Sequence, residues 1–390
     1  MEFCYSKRME KFGSSIFSEL KAFKLRLEAE GQTLIDLSLG SPDLPPADVI
    51  RRELSARAAD PTQYGYTLSG TKAFYEAAAR YYDRVYGVSL DPQTELVHAM
   101  GSQEGLVHLP LVFADPGDMV LVTDPGYTAY ETGLAVAGAE PFYMPLLKEN
   151  RFLPDLSAIP EAVAEKAKLM ILNYPGNPVA GQADRQFFNE VIAFAKQHQI
   201  AVLHDAAYSE FYFDDAKPLS FLAVPGAKEV GIEINSLSKS FSLAGARIAY
   251  IAGNKDIIGA VTRLKSNLDY GVFAPIQAAA IAAFDQAEEI SSHVRAVFQQ
   301  RRDALVNELH AIGWQVDRPS GSMFIWAEIP AGWTSKEFAF HCMREAGVVM
   351  VPGSAFGPSG EGYVRIALVQ PEETLRKAAQ NLQTVFSPVS

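Results

Sequence analysis

Apolar residues recur along this chain in two rhythms. Ile16, Leu20, Phe23 and Leu27 fall at helical spacing with charges between them, which predicts an amphipathic helix over residues 16–30 ending near Gly31. A helix is also predicted from about Thr71 to Tyr86, another from Gly101 to about Ala114, and an almost wholly helical stretch from Ala274 to His310. Ile35 to Leu39 alternates like a short strand. Met119–Thr123, Leu169–Leu172, Ile200–Leu203 and Gly231–Asn235 are short apolar runs, of the kind found in buried parallel strands. Arg247–Ala252, Gly321–Trp326 and Tyr363–Leu368 also read as strands.

Composition narrows the class. The chain has 390 residues, 48% hydrophobic and 21% charged, as in soluble globular proteins. That length allows two or three domains, or one large domain with a smaller companion. The net charge of −12 argues against nucleic-acid binding, which calls for a basic face. A small anionic substrate would need local cations. The 2 cysteines, Cys4 and Cys342, make no disulfide framework and fit a reducing, cytoplasmic setting. No apolar signal core follows Met1–Arg8. The apolar stretch Leu106–Ala114 is too short to span a bilayer and is interrupted by Pro110. No His-Glu-x-x-His pattern or Cys/His cluster suggests a metal.

Candidate chemistry centres on Ser236-Leu237-Ser238-Lys239-Ser240-Phe241-Ser242-Leu243-Ala244-Gly245-Ala246-Arg247, set between two strand-like runs. A buried ammonium loses hydration and its pKa falls, which turns a lysine into a nucleophile. The same residues also suit an ordinary loop lysine with an arginine nearby. Other segments add to the picture. Gly101-Ser102-Gln103-Glu104-Gly105 opens a helix, where free N–H groups attract anions. Asp205 and Tyr208 lie at the carboxyl end of an apolar run, where open α/β sheets bind ligands. His204 reads as structural.

The pattern S-x-S-K-x-x-x-x-x-G-x-R resembles the lysine motif of class I/II aminotransferases, the fold-type-I enzymes that use pyridoxal 5'-phosphate (PLP). Further family motifs follow in family order from Gly40 to Arg365. Asn173-Tyr174-Pro175-Gly176-Asn177-Pro178-Val179-Ala180-Gly181 is similar to the family's N-x-P-x-N-P-T-G, departing at Val179 and Ala180, where the family has Thr and Gly. The resemblance implies an α/β fold: a large, mostly parallel-sheet, PLP-binding domain over residues 46–274, and a smaller α+β domain from residues 1–45 and 275–390. It implies a Schiff base from Lys239 to PLP, Asp205 on the ring nitrogen, and Tyr208 and Asn177 on the ring oxygen. Tyr127 would stack on the ring. Ser102, Gln103, Ser236, Ser238 and Arg247 would hold the phosphate. Gly40, Asn177 and Arg365 would meet the substrate carboxylate. Tyr66, with Tyr64 as the alternative, would reach the partner's phosphate in a homodimer.

The implied activity is ping-pong transfer of an amino group from an L-amino acid to a 2-oxo acid. A PLP-dependent carbon–sulfur β-lyase on the same fold is the alternative. A non-catalytic PLP-binding regulator is disfavoured, because the chain leaves no room for a DNA-binding domain and has no basic face. The chain looks most like the LL-diaminopimelate-aminotransferase-like branch, through Asp124-Pro125-Gly126-Tyr127, the Leu39–Pro46 loop and Lys265–Phe273, in which Asn267 would approach substrate. Ser15 stands where that branch tends to carry a substrate-contacting tyrosine, so the donor stays open. Arg263 and Lys265 are candidates, by location, for a second substrate-facing cation.

Overall fold

The computed structural model describes residues 3–12 and 16–386. In chain order the structure runs α1 (Ile16–Ala29), β1 (Ile35–Asp36), α2 (Asp48–Ala58), α3 (Lys72–Tyr86), β2 (Leu96–Ala99), α4 (Ser102–Phe113), β3 (Met119–Asp124), α5 (Ala129–Ala137) and β4 (Glu140–Pro145). Next come α6 (Glu161–Ala164), β5 (Ala167–Asn173), α7 (Arg185–His198), β6 (Ala201–Asp205), α8 (Ala227–Val230), β7 (Gly231–Ser236), α9 (Leu237–Ser240), β8 (Ala249–Gly253) and α10 (Lys255–Lys265). The rest is α11 (Ala274–Asp285), α12 (Ala287–Ala311), β9 (Phe324–Glu328), α13 (Ser335–Ala346), β10 (Val348–Val349), β11 (Val351–Pro352), β12 (Tyr363–Ala367) and α14 (Glu372–Phe386).

Seven strands form one sheet in the order β2-β8-β7-β6-β5-β3-β4. Pairings from β4 through β7 are parallel, and β8 runs antiparallel to both of its neighbours. Helices cover both faces, so the central strands are apolar at successive positions. On β5, Leu169 and Ile171 join the core on one face, and Met170 and Leu172 the core on the other. Each such side chain, fully buried, contributes about 1.5–3 kcal/mol. A three-stranded antiparallel sheet, β11-β12-β9, and the parallel pair β1-β10 make a second layer with α12, α13 and α14. The helix α11 packs on α2 and α3 and shares their core.

Local chemistry sets the ends. Thr71 caps α3, its Oγ1 accepting from the Phe74 N–H at 3.3 Å, and Gly87 closes that helix in the left-handed region. Several expected elements have other bounds, among them the strand expected over Gly321–Trp326, which runs Phe324–Glu328. The strand from Ile35 stops at Asp36, because Asp36 Oδ1 takes the Ser38 N–H at 2.9 Å and turns the chain. The strand expected from Arg247 starts at Ala249, since Arg247 has φ +55°. The long helical stretch from Ala274 breaks at Gln286, leaving α11 and α12.

This topology brings the carboxyl ends of β5, β6 and β7 side by side. Their last residues are Asn173, Asp205 and Ser236. Open α/β sheets bind ligands at that edge.

Candidate active site

A cavity of about 600 Å³ lies at that edge, between the seven-stranded sheet, β12 and α1. That is ample for a cofactor with a small substrate. Of the residues singled out from the sequence, Gly40, Ser102, Gln103, Tyr127, Asn177, Asp205, Tyr208, Ser236, Ser238, Lys239, Arg247 and Arg365 all line it.

Lys239 sits on α9, one short turn beyond β7. Its ammonium donates to the Gly40 carbonyl across the cavity. Gly40, expected to meet the substrate carboxylate, is here engaged through its carbonyl. Burial lowers the Lys239 pKa from 10.5 to about 8, and the charges of Arg365 and Arg247 push the same way against Asp205. That brings a usable fraction of the neutral amine, the form that acts as base or nucleophile, close to neutral pH.

Asp205 ends β6 and is buried. Tyr130 of α5 donates its hydroxyl to Asp205 Oδ2 at 3.0 Å, and the Ala207 N–H reaches Oδ1 at 3.2 Å. Burial raises the carboxyl pKa, and those two donors oppose the rise. A cationic partner in the cavity would reverse the balance and hold Asp205 ionised. His204, next in the strand, faces the other way and pairs with buried Glu233 at 2.7 Å. Tyr82, Ser220 and the Phe221 N–H also donate to Glu233.

Arg365 stands in the middle of β12, opposite Trp326 and Val351. Its Nη1 donates to Asn177 Oδ1 at 2.7 Å and its Nη2 to the Ser38 carbonyl at 2.7 Å. Its guanidinium lies 4.2 Å from the Phe324 ring centroid and 4.9 Å from that of Phe356. Nε is buried without a hydrogen bond, and among the described residues no carboxylate pairs with this cation. Burial lowers its pKa from 12.5 to about 10, so it keeps its charge at neutral pH. A buried cation without a counter-ion costs several kcal/mol, which an incoming carboxylate offsets. With its oxygen held by Arg365, the Asn177 amide nitrogen faces Tyr208, whose hydroxyl pKa burial pushes up.

Another part of the cavity wall suits a phosphate. Gly101 (φ +81°) precedes the free N–H groups of Ser102 and Gln103 at the start of α4. A Cβ at Gly101 would lie within 3.0 Å of the Arg247 guanidinium, so only glycine lets that arginine cross the helix end. Arg247 is held there by the carbonyls of Ala244 and Met100, at 3.0 and 3.4 Å. Ser236 accepts the Ser238 N–H at 3.2 Å, which sets both serines at the cavity wall.

The remaining candidates fall elsewhere. Tyr66 is 81% exposed, its ring 4.9 Å from that of Tyr270, and it does not line this cavity. Tyr64 donates to the Ala58 carbonyl. Asn267 bonds the Arg263 carbonyl and lies off the cavity, as does Arg263. Lys265 is buried and paired with Glu104 and Asp269 at 3.0 and 2.7 Å, so it is not free to meet substrate. Ser15 lies outside the described residues. Sequence reasoning missed Tyr130, and it missed Lys21 and Lys24 of α1, both of which line the cavity.

A family model, aminotransferase class I and II, matches residues 32–382. The chain belongs to this family. It is 43% identical over 98% of its length to an LL-diaminopimelate aminotransferase of Moorella thermoacetica, covering 99% of that protein. It is 45% identical over 97% of its length to an LL-diaminopimelate aminotransferase of Dehalococcoides mccartyi, covering 97% of it. The substrate-bound structure of BacF from Bacillus subtilis superposes with a TM-score of 0.95 at 37% identity, with full coverage of both chains. This aminotransferase therefore has the fold-type-I architecture and uses PLP to exchange amino groups between amino and 2-oxo acids. The relatives bear aminotransferase names, and nothing in them supports the lyase alternative. The cavity fits the cofactor chemically: a nucleophilic lysine, a carboxylate for the ring nitrogen, and a glycine-arginine cradle for the phosphate. No helix among the described residues is long and apolar enough to cross a membrane.

Proposed function

We propose that this aminotransferase takes LL-diaminopimelate as its amino donor and a 2-oxo acid as acceptor, acting as a cytoplasmic homodimer. The observation that carries the chemistry is the convergence of a low-pKa Lys239, Asp205 and a buried Arg365 without a counter-ion on one cavity. The names of relatives that match at 43–45% identity support the donor. Two free cysteines, one of them buried, suit a reducing compartment.

PLP, when bound, supplies a carbonyl carbon that condenses with amines and a ring that absorbs the electron pair left at the substrate Cα. The chain's own residues do the rest. Arg365 and the Asn177 amide dock the α-carboxylate and fix the angle of the Cα–H bond. Lys239 Nζ would hold the Cα proton, acting first as general base and then as general acid. Asp205, steadied by Tyr130, would face the ring nitrogen. Ser102, Gln103, Ser236, Ser238 and Arg247 would hold the phosphate, and Tyr127 would lie against the ring. Tyr208 and Asn177 would meet the ring oxygen.

An exposed apolar strip supports the dimer. Tyr64, Tyr66, Leu68, Leu268, Tyr270 and Phe273 are all exposed, with Tyr64 packed on Phe273 and Tyr66 on Tyr270. Such strips mark interfaces, and a second copy lying on this one would bring Tyr66 near the partner's phosphate site. The test is a donor panel on the PLP-loaded protein with 2-oxoglutarate as acceptor. Glutamate formed fastest from LL-diaminopimelate supports the donor assignment. Glutamate from another donor alone overturns the donor, and none from any donor overturns the whole reading.

A further inference from the structure

One cation of the cavity has no assigned partner. The basic side chains that line it are Lys21, Lys24, Lys239, Arg247 and Arg365; the acidic ones are Asp36 and Asp205. In the proposed function, Arg247 meets phosphate, Arg365 the α-carboxylate, Lys239 the reacting carbon, and Asp205 the ring. Lys24 is neutralised by Asp36, with Nζ to Oδ2 at 2.6 Å. Lys21 remains. It is exposed, and it has no ion pair or hydrogen bond to any described residue.

Lys21 precedes Lys24 by three positions on α1, so the two share a helix face, and that face lines the cavity. A chain of contacts fixes this face relative to Arg365. Lys24 holds Asp36, Asp36 Oδ1 takes the N–H and hydroxyl of Ser38 at 2.9 and 2.6 Å, and the Ser38 carbonyl takes Arg365 Nη2. The free ammonium thus lines the same cavity as the carboxylate site, on a helix face tied to Arg365 by hydrogen bonds and one ion pair.

We propose that Lys21 binds a second carboxylate, at the far end of the substrate side chain. The preferred amino acids are then those with a distal carboxylate, LL-diaminopimelate among them, over neutral ones of equal length. This rests on the aminotransferase reading and adds to it the residue that selects the donor class.

Binding of unreactive acids tests it without turnover. The PLP-loaded enzyme is titrated calorimetrically with the dicarboxylates from succinate to pimelate, and with the monocarboxylates of the same lengths. At one length the diacid is expected to bind about tenfold tighter. Lys21→Gln should erase that preference and Lys21→Arg should keep it. In steady state, Lys21→Gln should lower the kcat/KM ratio of 2-aminoadipate over norleucine about tenfold, mainly through the KM for 2-aminoadipate. A diacid preference that survives Lys21→Gln, in an enzyme that still transaminates, overturns this inference alone. Loss of the preference in a protein that transaminates no donor supports Lys21 and overturns the proposed function instead.

Discussion

Arg365 Nη1 donates to Asn177 Oδ1 at 2.7 Å, across the gap between β12 and the loop that follows β5. One hydrogen bond thereby joins the two layers of the molecule at the point where a carboxylate would dock. It fixes the amide of Asn177, so the donor end of the amide faces the cavity. Arg365→Lys keeps the charge and loses the planar fork. It is expected to raise KM for every amino acid by about 10- to 150-fold, as loss of a charge-assisted hydrogen bond would. Unchanged KM values would remove Arg365 from the carboxylate site.

Lys239→Ala is expected to abolish transamination and leave the circular dichroism and melting temperature near those of the parent. The visible absorbance that depends on a lysine–cofactor bond should disappear. Substantial residual turnover would exclude Lys239 as the nucleophile.

The lowered pKa of Lys239 gives a pH dependence with a defined sign. The neutral amine reacts with the cofactor aldehyde and the ammonium does not. Cofactor-free protein mixed with PLP should therefore load slowly at low pH and reach half its maximal rate near pH 8, well below the ordinary 10.5. Stopped-flow absorbance measures this, and a midpoint near 10 would contradict the buried setting of the amine.

Tyr130 supports Asp205 through one hydroxyl. Tyr130→Phe removes a donor to the charged form of the carboxyl, so the Asp205 pKa rises further. The acidic limb of the rate profile should move to higher pH, with kcat down about tenfold at neutrality. A rate profile identical to the parent's would make Tyr130 a packing residue only.

Glu233 concerns stability rather than chemistry. It is buried among His204, Tyr82, Ser220 and the Phe221 N–H. Glu233→Ala leaves these groups without partners and should cost about 3–5 kcal/mol. Denaturant unfolding checks it, and a loss below about 1 kcal/mol would mean that the network repairs itself.

Residues at strand ends were legible because the sequence marks them twice. Asp205 and Asn177 follow apolar runs and sit in distinctive loops, and Lys239 and Arg247 share one motif. Tyr130 escaped because an aromatic in an apolar helix looks like core until its hydroxyl is located. Lys21 and Lys24 escaped because a lysine on the polar face of a helix has the same pattern whether it faces water or a cavity. Lys265 misled because one of its two partners, Glu104, lies far upstream on α4. The early start expected for β8 failed for a similar reason. The left-handed turn at Arg247 goes with a contact to Met100, which no local pattern announces.

The helix α1 stands apart from the seven-stranded sheet, yet it forms one wall of the cavity. Its polar tie to the rest of the cavity wall is the pair Lys24–Asp36. With Lys21 as the partner of a distal carboxylate, appetite for a donor and the ability to react with it would be written in different parts of the chain. Exchanging the segment that carries α1 between family members, with Asp36 retained, would transplant a taste for one amino acid and leave the catalytic engine as it was.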